Sequence, residues 1–202
     1  FPVLTGRDLS GVYSSLLYRI IRQGPEVPWC ENGELYMIEL IKADLTSLSV
    51  DAIVNAANSS LMGGGGVDGA IHTSAGPQLL EACRKLGGCQ PGDVKMTAGF
   101  NLSAKIILHT VGPIWRGGRA GESTVLSCCY EKSLQLGLEE GVTSIAFPSI
   151  STGAYGYPKR QAAVIALTAM TQYSERYETI ICCCFNDSDL WVYQKVMGML
   201  ER

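Results

Sequence analysis

The sequence predicts an α/β domain of three layers, with helices on both faces of a mainly parallel sheet. Three observations carry this. From Glu34 onward, short apolar runs alternate with longer stretches of helical period. The apolar runs, such as "KIILHTV" and "TIICCCF", are continuous rather than alternating, so both faces of each strand are meant for burial. Two polar, glycine-rich stretches, residues 55–68 and 149–157, follow directly on such runs. Open α/β sheets carry their ligand loops at that position.

Residues 1–32 stand apart. "DLSGVYSSLLYRIIRQG" has apolar residues at Leu9, Val12, Leu16, Leu17, Ile20 and Ile21, a helical spacing ended by Gly24 and Pro25. "EVPWCENGE" is a turn-rich connector. The segment reads as an extra helix packed on the main domain, residues 33–202, and not as a second domain. "ELYMIELIK" is then a strand, and "DAIVNAA" a short strand running into a loop. Helices follow near 69–74 and 78–86. "KIILHTV" is a buried strand. "STVLSCCYEKSLQLGLEEG" is a helix with Glu122 before it and Gly141 as its stop. "SIAFPSI" is a strand, "KRQAAVIALTAMTQYSER" a helix led by Pro158, "TIICCCF" a strand and "SDLWVYQKVMGML" a closing helix.

At 202 residues and 47% hydrophobic, the chain suits one domain with a sizeable core. Its net charge of -3 argues against a broad nucleic-acid-binding surface. No apolar run approaches the ~20 residues a membrane helix needs, and the N-terminus lacks a secretory pattern. The start at Phe1 rather than Met suggests a fragment or processed product, so a targeting segment is left open; the expected location is intracellular, cytoplasmic or nuclear. Eight cysteines raise disulfide and zinc readings, but none forms a CxxC pair. Cys128–Cys129 and Cys182–Cys183–Cys184 are adjacent runs in apolar segments, and neighbours on a strand point to opposite faces. They read as reduced, buried thiols; Cys30, Cys83 and Cys89 carry no firm assignment.

The two loops carry the chemistry. Gly63, Gly64, Gly65 and Gly66 remove every side chain over four residues, so N–H groups there can approach an anion. A helix starting near Asp68 adds its N-terminal donors. No lysine follows as in a Walker A loop, and "GGGGVDG" fits GxGxxG only by force. In "SISTGAYGYP", Ser151, Thr152, Gly153 and Gly156 offer further donors, and Tyr155 is either a packed aromatic or a cover over a sugar. Two phosphate-type loops suggest a diphosphate. Asn55 and Asn58 either bond local backbone or reach sugar hydroxyls. Asp68 is either an N-cap or a carboxylate that accepts from a ribose hydroxyl or orients a water. His72, four residues on, shares its helical face. Both His72 and His109 read as structural.

"DAIVNAANSSLMGGGGVDGAIH", "AGPQLLEAC", "HTVGPIW" and "FPSISTGAYGYP" together resemble macrodomains of the MacroD type, in order over roughly residues 35–200. The resemblance implies a mixed sheet of about six strands and an ADP-ribose cleft. It implies that Asp44, with Leu45 beside it, meets adenine, Asp44 at its amino group, and that Phe185 stacks on the ring. Gly64, Gly65, Gly66 and Val67, with Ser151, Thr152, Gly153, Ala154 and Tyr155, match the diphosphate loops. Asn55, Asn58, Asp68 and Tyr155 match the groups around the distal ribose, and Asn58 and Asp68 the positions linked with catalysis. The implied activity is hydrolysis of the ester joining ADP-ribose to acidic side chains of mono-ADP-ribosylated proteins, and deacetylation of O-acetyl-ADP-ribose. It implies no metal and no cofactor; a monomer is expected. A non-catalytic ADP-ribose reader is the alternative, disfavoured by retention of both Asn58 and Asp68. An RNA or poly-ADP-ribose binder and a zinc-dependent relative fit less well. The departures are the unmatched segment 1–32 and Thr73, where arginine is common.

Overall fold

A computed structural model describes residues 37–200. The segment 1–32 with its expected helix, Cys30, and the expected start of the first strand lie outside the described residues. The elements are β1 (Met37–Lys42), β2 (Ala52–Ala56), α1 (Gly66–Ala75), α2 (Pro77–Leu86), β3 (Val94–Ala98), β4 (Ile106–Thr110), α3 (Glu122–Glu139), β5 (Ser144–Pro148), α4 (Lys159–Tyr173), β6 (Thr179–Cys184) and α5 (Asp187–Leu200). They form one six-stranded sheet in the order β1-β6-β5-β2-β4-β3. Every neighbouring pair is parallel except β3 with β4. This is the mixed, mainly parallel α/β/α architecture expected.

The continuous apolar strands do bury both faces. On one face Val54, Leu108, Phe147 and Ile180 pack with Leu126 and Leu134 of α3, Leu167 of α4 and Met197 of α5. On the other, Ile53, Ile107, Ala146 and Ile181 pack with Ile71 of α1 and Leu79 of α2. Strand alternation divides the cysteine run: Cys182 and Cys184 enter the first cluster, Cys183 the second. The cysteines among the described residues are free. Burial pushes the thiols of Cys83, Cys129 and Cys183 up to about 11.

Asp51 ties the sheet's N-terminal edge together. Its Oδ1 accepts from Lys105 Nζ at 2.7 Å, just before β4. Its Oδ2 accepts from the backbone N–H groups of Thr143 and Ser144, both at 3.1 Å, and from both hydroxyls at 3.0 Å, where β5 starts. The Lys105 ammonium and these donors hold the Asp51 carboxyl well below the usual range despite partial burial.

Three expectations change. β3 is an additional strand: it lies antiparallel at the sheet edge and is only half covered, so it lacks a continuous apolar run. α1 begins at Gly66, so Asp68 sits inside its first turn. α4 ends at Tyr173, and the last residues assigned to it form a separate 3-10 turn, Ser174–Arg176.

Candidate active site

Because β1, β6, β5, β2 and β4 are parallel, all five leave the sheet at one edge. In spatial order that edge carries Asp44 and Leu45 after β1, Phe185 after β6, residues 151–155 after β5 and the glycine loop after β2. Residues 140 positions apart in sequence thus fall into one row.

The β2 loop turns through left-handed backbone at Leu61, Gly63 and Gly66, with φ of 60°, 82° and 60°. Glycine removes the steric penalty at the last two. Gly65 caps α1 without a side-chain bond, so the first-turn N–H groups have no intrahelical partner. A Cβ on Gly65 or Gly66 would meet nothing within 4 Å; one on Gly64 would sit 3.1 Å from Asp68 Oδ2 and 3.2 Å from Asn58 Nδ2. A Cβ on Gly69 would lie 2.5 Å from the Gly64 carbonyl oxygen, so glycine there lets the loop close onto the helix.

Asp68 is 3% exposed and not an N-cap. Its Oδ1 accepts from Asn55 Nδ2 at 2.7 Å and its Oδ2 from Asn58 Nδ2 at 3.4 Å. Asn58 also makes the local turn bonds: Nδ2 donates to the Gly63 carbonyl at 2.8 Å, and Oδ1 accepts from the Ser60 N–H at 3.0 Å. Asn55 makes none. It is a fully buried β2 residue whose Oδ1 has no protein partner. His72 shares the Asp68 face as expected, with Nε2 3.6 Å from Asp68 Oδ1. His109 is buried as read, and burial, with His72 nearby, lowers its pKa to about 4. It is not isolated, however: Nδ1 lies 3.1 Å from Asn55 Nδ2.

The β5 loop bonds itself through Thr152 Oγ1 to the Ser149 carbonyl at 2.9 Å, the Gly156 N–H to Gly153 at 2.9 Å and the Tyr157 N–H to Ser151 at 3.0 Å. The N–H groups of Gly153, Ala154 and Tyr155 lie outside these bonds. Ser151 is buried in left-handed backbone, φ 64°, and its Oγ has no protein partner. The strut of this loop was missed as a site element: a Cβ on Gly112 would sit 2.1 Å from Ser151 Oγ. The Trp115 N–H donates to the Tyr155 carbonyl at 2.9 Å, and the Trp115 and Tyr157 rings stand 4.6 Å apart. The signal was present in "HTVGPIW", where glycine and proline end β4. Glu122 accepts from the N–H groups of Arg116, Gly118 and Ala120 beyond it. These bonds and its own backbone N–H hold its carboxyl at about 2.

At the far end Asp44 Oδ1 accepts from the Thr46 N–H at 2.9 Å and caps the 3-10 turn Leu45–Ser47. Leu45 is in the core, so only its main chain reaches this edge. Phe185 is 88% exposed, one residue beyond the paired Lys42 and Cys184. Asn186 caps α5 through Oδ1, which accepts from the Asp189 N–H at 2.9 Å. Among the described residues no cluster of three or more His, Cys, Asp or Glu is placed to hold a metal. A groove of about 480 Å³ lies elsewhere, between α2 and β3, and holds none of the residues singled out from the sequence.

The Macro domain family model matches residues 54–166. A macro domain-containing protein of Chlorobaculum tepidum is 60% identical, over 80% of this chain and 96% of its own. A Cronobacter sakazakii protein named O-acetyl-ADP-ribose deacetylase is 47% identical, over 82% and 96%. A solved Oceanobacillus iheyensis macrodomain with ADP superposes with a TM-score of 0.77 at 41% identity, over 81% of this chain and 90% of that one. The chain belongs to the macrodomain family.

Proposed function

We propose that this protein is a hydrolase of ADP-ribosyl esters, removing ADP-ribose from mono-ADP-ribosylated acidic side chains of proteins and deacetylating O-acetyl-ADP-ribose. The strand order supports the placement. Read from β1 to β2, the edge offers Asp44 and Phe185 for adenine, the 151–155 loop and the α1 N-terminus for a diphosphate, then Asn55, Asn58 and Asp68 for the distal ribose. The ligand has the same linear order. Ser151 Oγ and Asn55 Oδ1, both buried without a protein partner, then gain one each, from a phosphate oxygen and a ribose hydroxyl.

The observation that carries the catalytic reading is the buried Asp68 carboxylate held between two amides. Both contacts come from neutral N–H donors, which leave carboxylate lone pairs for a water. Asn58 fixes the ribose, while Asp68, with a phosphate oxygen, orients a water and takes its proton. The water oxygen attacks the ester carbonyl carbon, the bond from that carbon to the ribose oxygen breaks, and the ribose oxygen takes back the proton held by Asp68, so that a carboxylic acid and a free ribose hydroxyl result and the Asp68 carboxylate is restored. Positioning supplies most of the rate; the base adds about 10²- to 10⁴-fold. The mechanism uses no metal or cofactor, and the protein acts as a monomer inside the cell on modified proteins rather than nucleic acid.

The test follows acetate release from O-acetyl-ADP-ribose and ADP-ribose release from a glutamate-modified protein, each with and without chelator. Turnover of both, unaffected by chelator, is the expected result. Tight ADP-ribose binding without turnover of either substrate makes the protein a reader instead.

A further inference from the structure

The hydrogen bonds around Asp68 continue into the sheet. Asn55 on β2 is paired in register with His109 on β4, and β3 lies on the other side of β4. Asn55 Nδ2 is 2.7 Å from Asp68 Oδ1 and 3.1 Å from His109 Nδ1; His109 Nε2 is 2.9 Å from Thr97 Oγ1 on β3. All four residues are buried. We propose that His109 is a positioning residue of the hydrolytic site, whose Nδ1 fixes the side-chain amide of Asn55 and, through it, the Asp68 carboxylate. This rests on the hydrolase reading above.

Donor and acceptor roles leave one arrangement. An ionised carboxylate only accepts, so the Asn55 atom beside Asp68 is its NH₂ group. That group's second hydrogen points to His109 Nδ1, which must accept it. A neutral imidazole accepting at Nδ1 carries its proton at Nε2 and donates to Thr97 Oγ1. Turning the Asn55 amide over would set its oxygen against Asp68 Oδ1. Moving the ring proton to Nδ1 would set two N–H groups against each other. His109 therefore holds the amide in the one sense that serves Asp68 and leaves Asn55 Oδ1 unspent.

The ring acts by geometry, not by charge, because burial keeps it neutral at working pH. The arrangement also accounts for the residue type. A polar ring between Leu108 and Thr110 in a central strand costs stability unless both nitrogens are partnered. A leucine or valine would fill the space and leave Asn55 free to turn. Cys83 Sγ, 3.9 Å from Nε2, adds at most a weak contact.

The test uses His109→Phe, which removes the acceptor, His109→Asn, whose Oδ1 replaces Nδ1 at the same reach from the backbone, and Thr97→Val. Each is measured for kcat and KM on O-acetyl-ADP-ribose, for ADP affinity by calorimetry, and for thermal midpoint. Histidine ¹⁵N spectra of the wild type report the tautomer. The expected result is a kcat loss of about 10- to 100-fold in His109→Phe with ADP affinity unchanged. Most of kcat returns in His109→Asn, and the wild type shows the neutral Nε2–H tautomer. The proposal is overturned if kcat follows the thermal midpoint regardless of the acceptor, or if the ring proton sits on Nδ1. Absence of turnover in the wild type would count against the hydrolase reading instead. The tautomer, and the shift of the Asn55 side-chain amide in Thr97→Val, still decide the relay without turnover.

Discussion

Phe185 follows directly on β6, whose last five residues are all buried, yet it is 88% exposed. A residue so exposed contributes little to the fold, so Phe185→Ala should change stability by less than about 0.5 kcal/mol. Loss of stacking should weaken ADP binding by about 1–3 kcal/mol; equal affinity in calorimetry would remove Phe185 from the site. Gly112 predicts the opposite pattern. A methyl group there runs into Ser151 Oγ, so Gly112→Ala should displace the β5 loop and lower ADP affinity at least about tenfold, with α1 and Asp68 unaffected. Unchanged affinity would show that the loop adapts. At this scale Asn58 and Asp68 were legible because their loop is unusual by itself. Gly112 and the partners of His109 were not, because their contacts join strands whose order the sequence does not print. Asp68 also illustrates a choice between two local roles that only the helix start could make.

β2, β4 and β5 are joined at the N-terminal edge of the sheet by Asp51, which bonds the starts of β4 and β5 while preceding β2 itself. Its depressed carboxyl gives a definite pH dependence. The stabilisation is present above the unfolded value near 3.8 and is lost as pH falls toward the lower folded value. Asp51→Asn should cost about 1–3 kcal/mol at neutral pH, with the gap to wild type narrowing below about pH 4. A gap that stayed constant through acid denaturation would show that the carboxyl is not held as described. The long helices and central strands were legible because each buries a continuous apolar set. β3 shows why the remainder was not. "VKMTA" alternates apolar and polar residues, a valid edge-strand pattern, but over five residues only, between a Pro-Gly turn and a glycine. Its importance is out of proportion to its length, since it brings Thr97 to His109. The start of α1 was misjudged because glycine has poor helix propensity, although Gly66 opens the helix and its free N–H groups are what the loop offers an anion.

For the whole molecule, one consequence follows from the shared direction of β1, β6, β5, β2 and β4: their exits fall on one edge, and four separate segments bring the candidate ligand groups into a single row. The class of fold was readable from run lengths alone, whereas the order of the groups along the edge required the strand order. Burial of both sheet faces governs the thiols. Cys83, Cys129, Cys182, Cys183 and Cys184 lie within the two cores, and burial raises the thiol pKa values of the first four. A thiol reagent at neutral pH should label them only in denaturant. Rapid labelling in the folded protein would mean that the cores are looser than the packing indicates.

The proposed hydrolysis turns on Asp68 as the group that activates water. The most direct measurement compares wild type with Asp68→Asn in ADP-ribose release from a glutamate-modified protein and in deacetylation of O-acetyl-ADP-ribose, with ADP-ribose affinity determined alongside. The predicted result is a loss of turnover of at least about 100-fold with affinity largely kept. Turnover retained with a carboxamide at position 68 would contradict it, leaving Asp68 a binding residue and the source of the attacking water elsewhere.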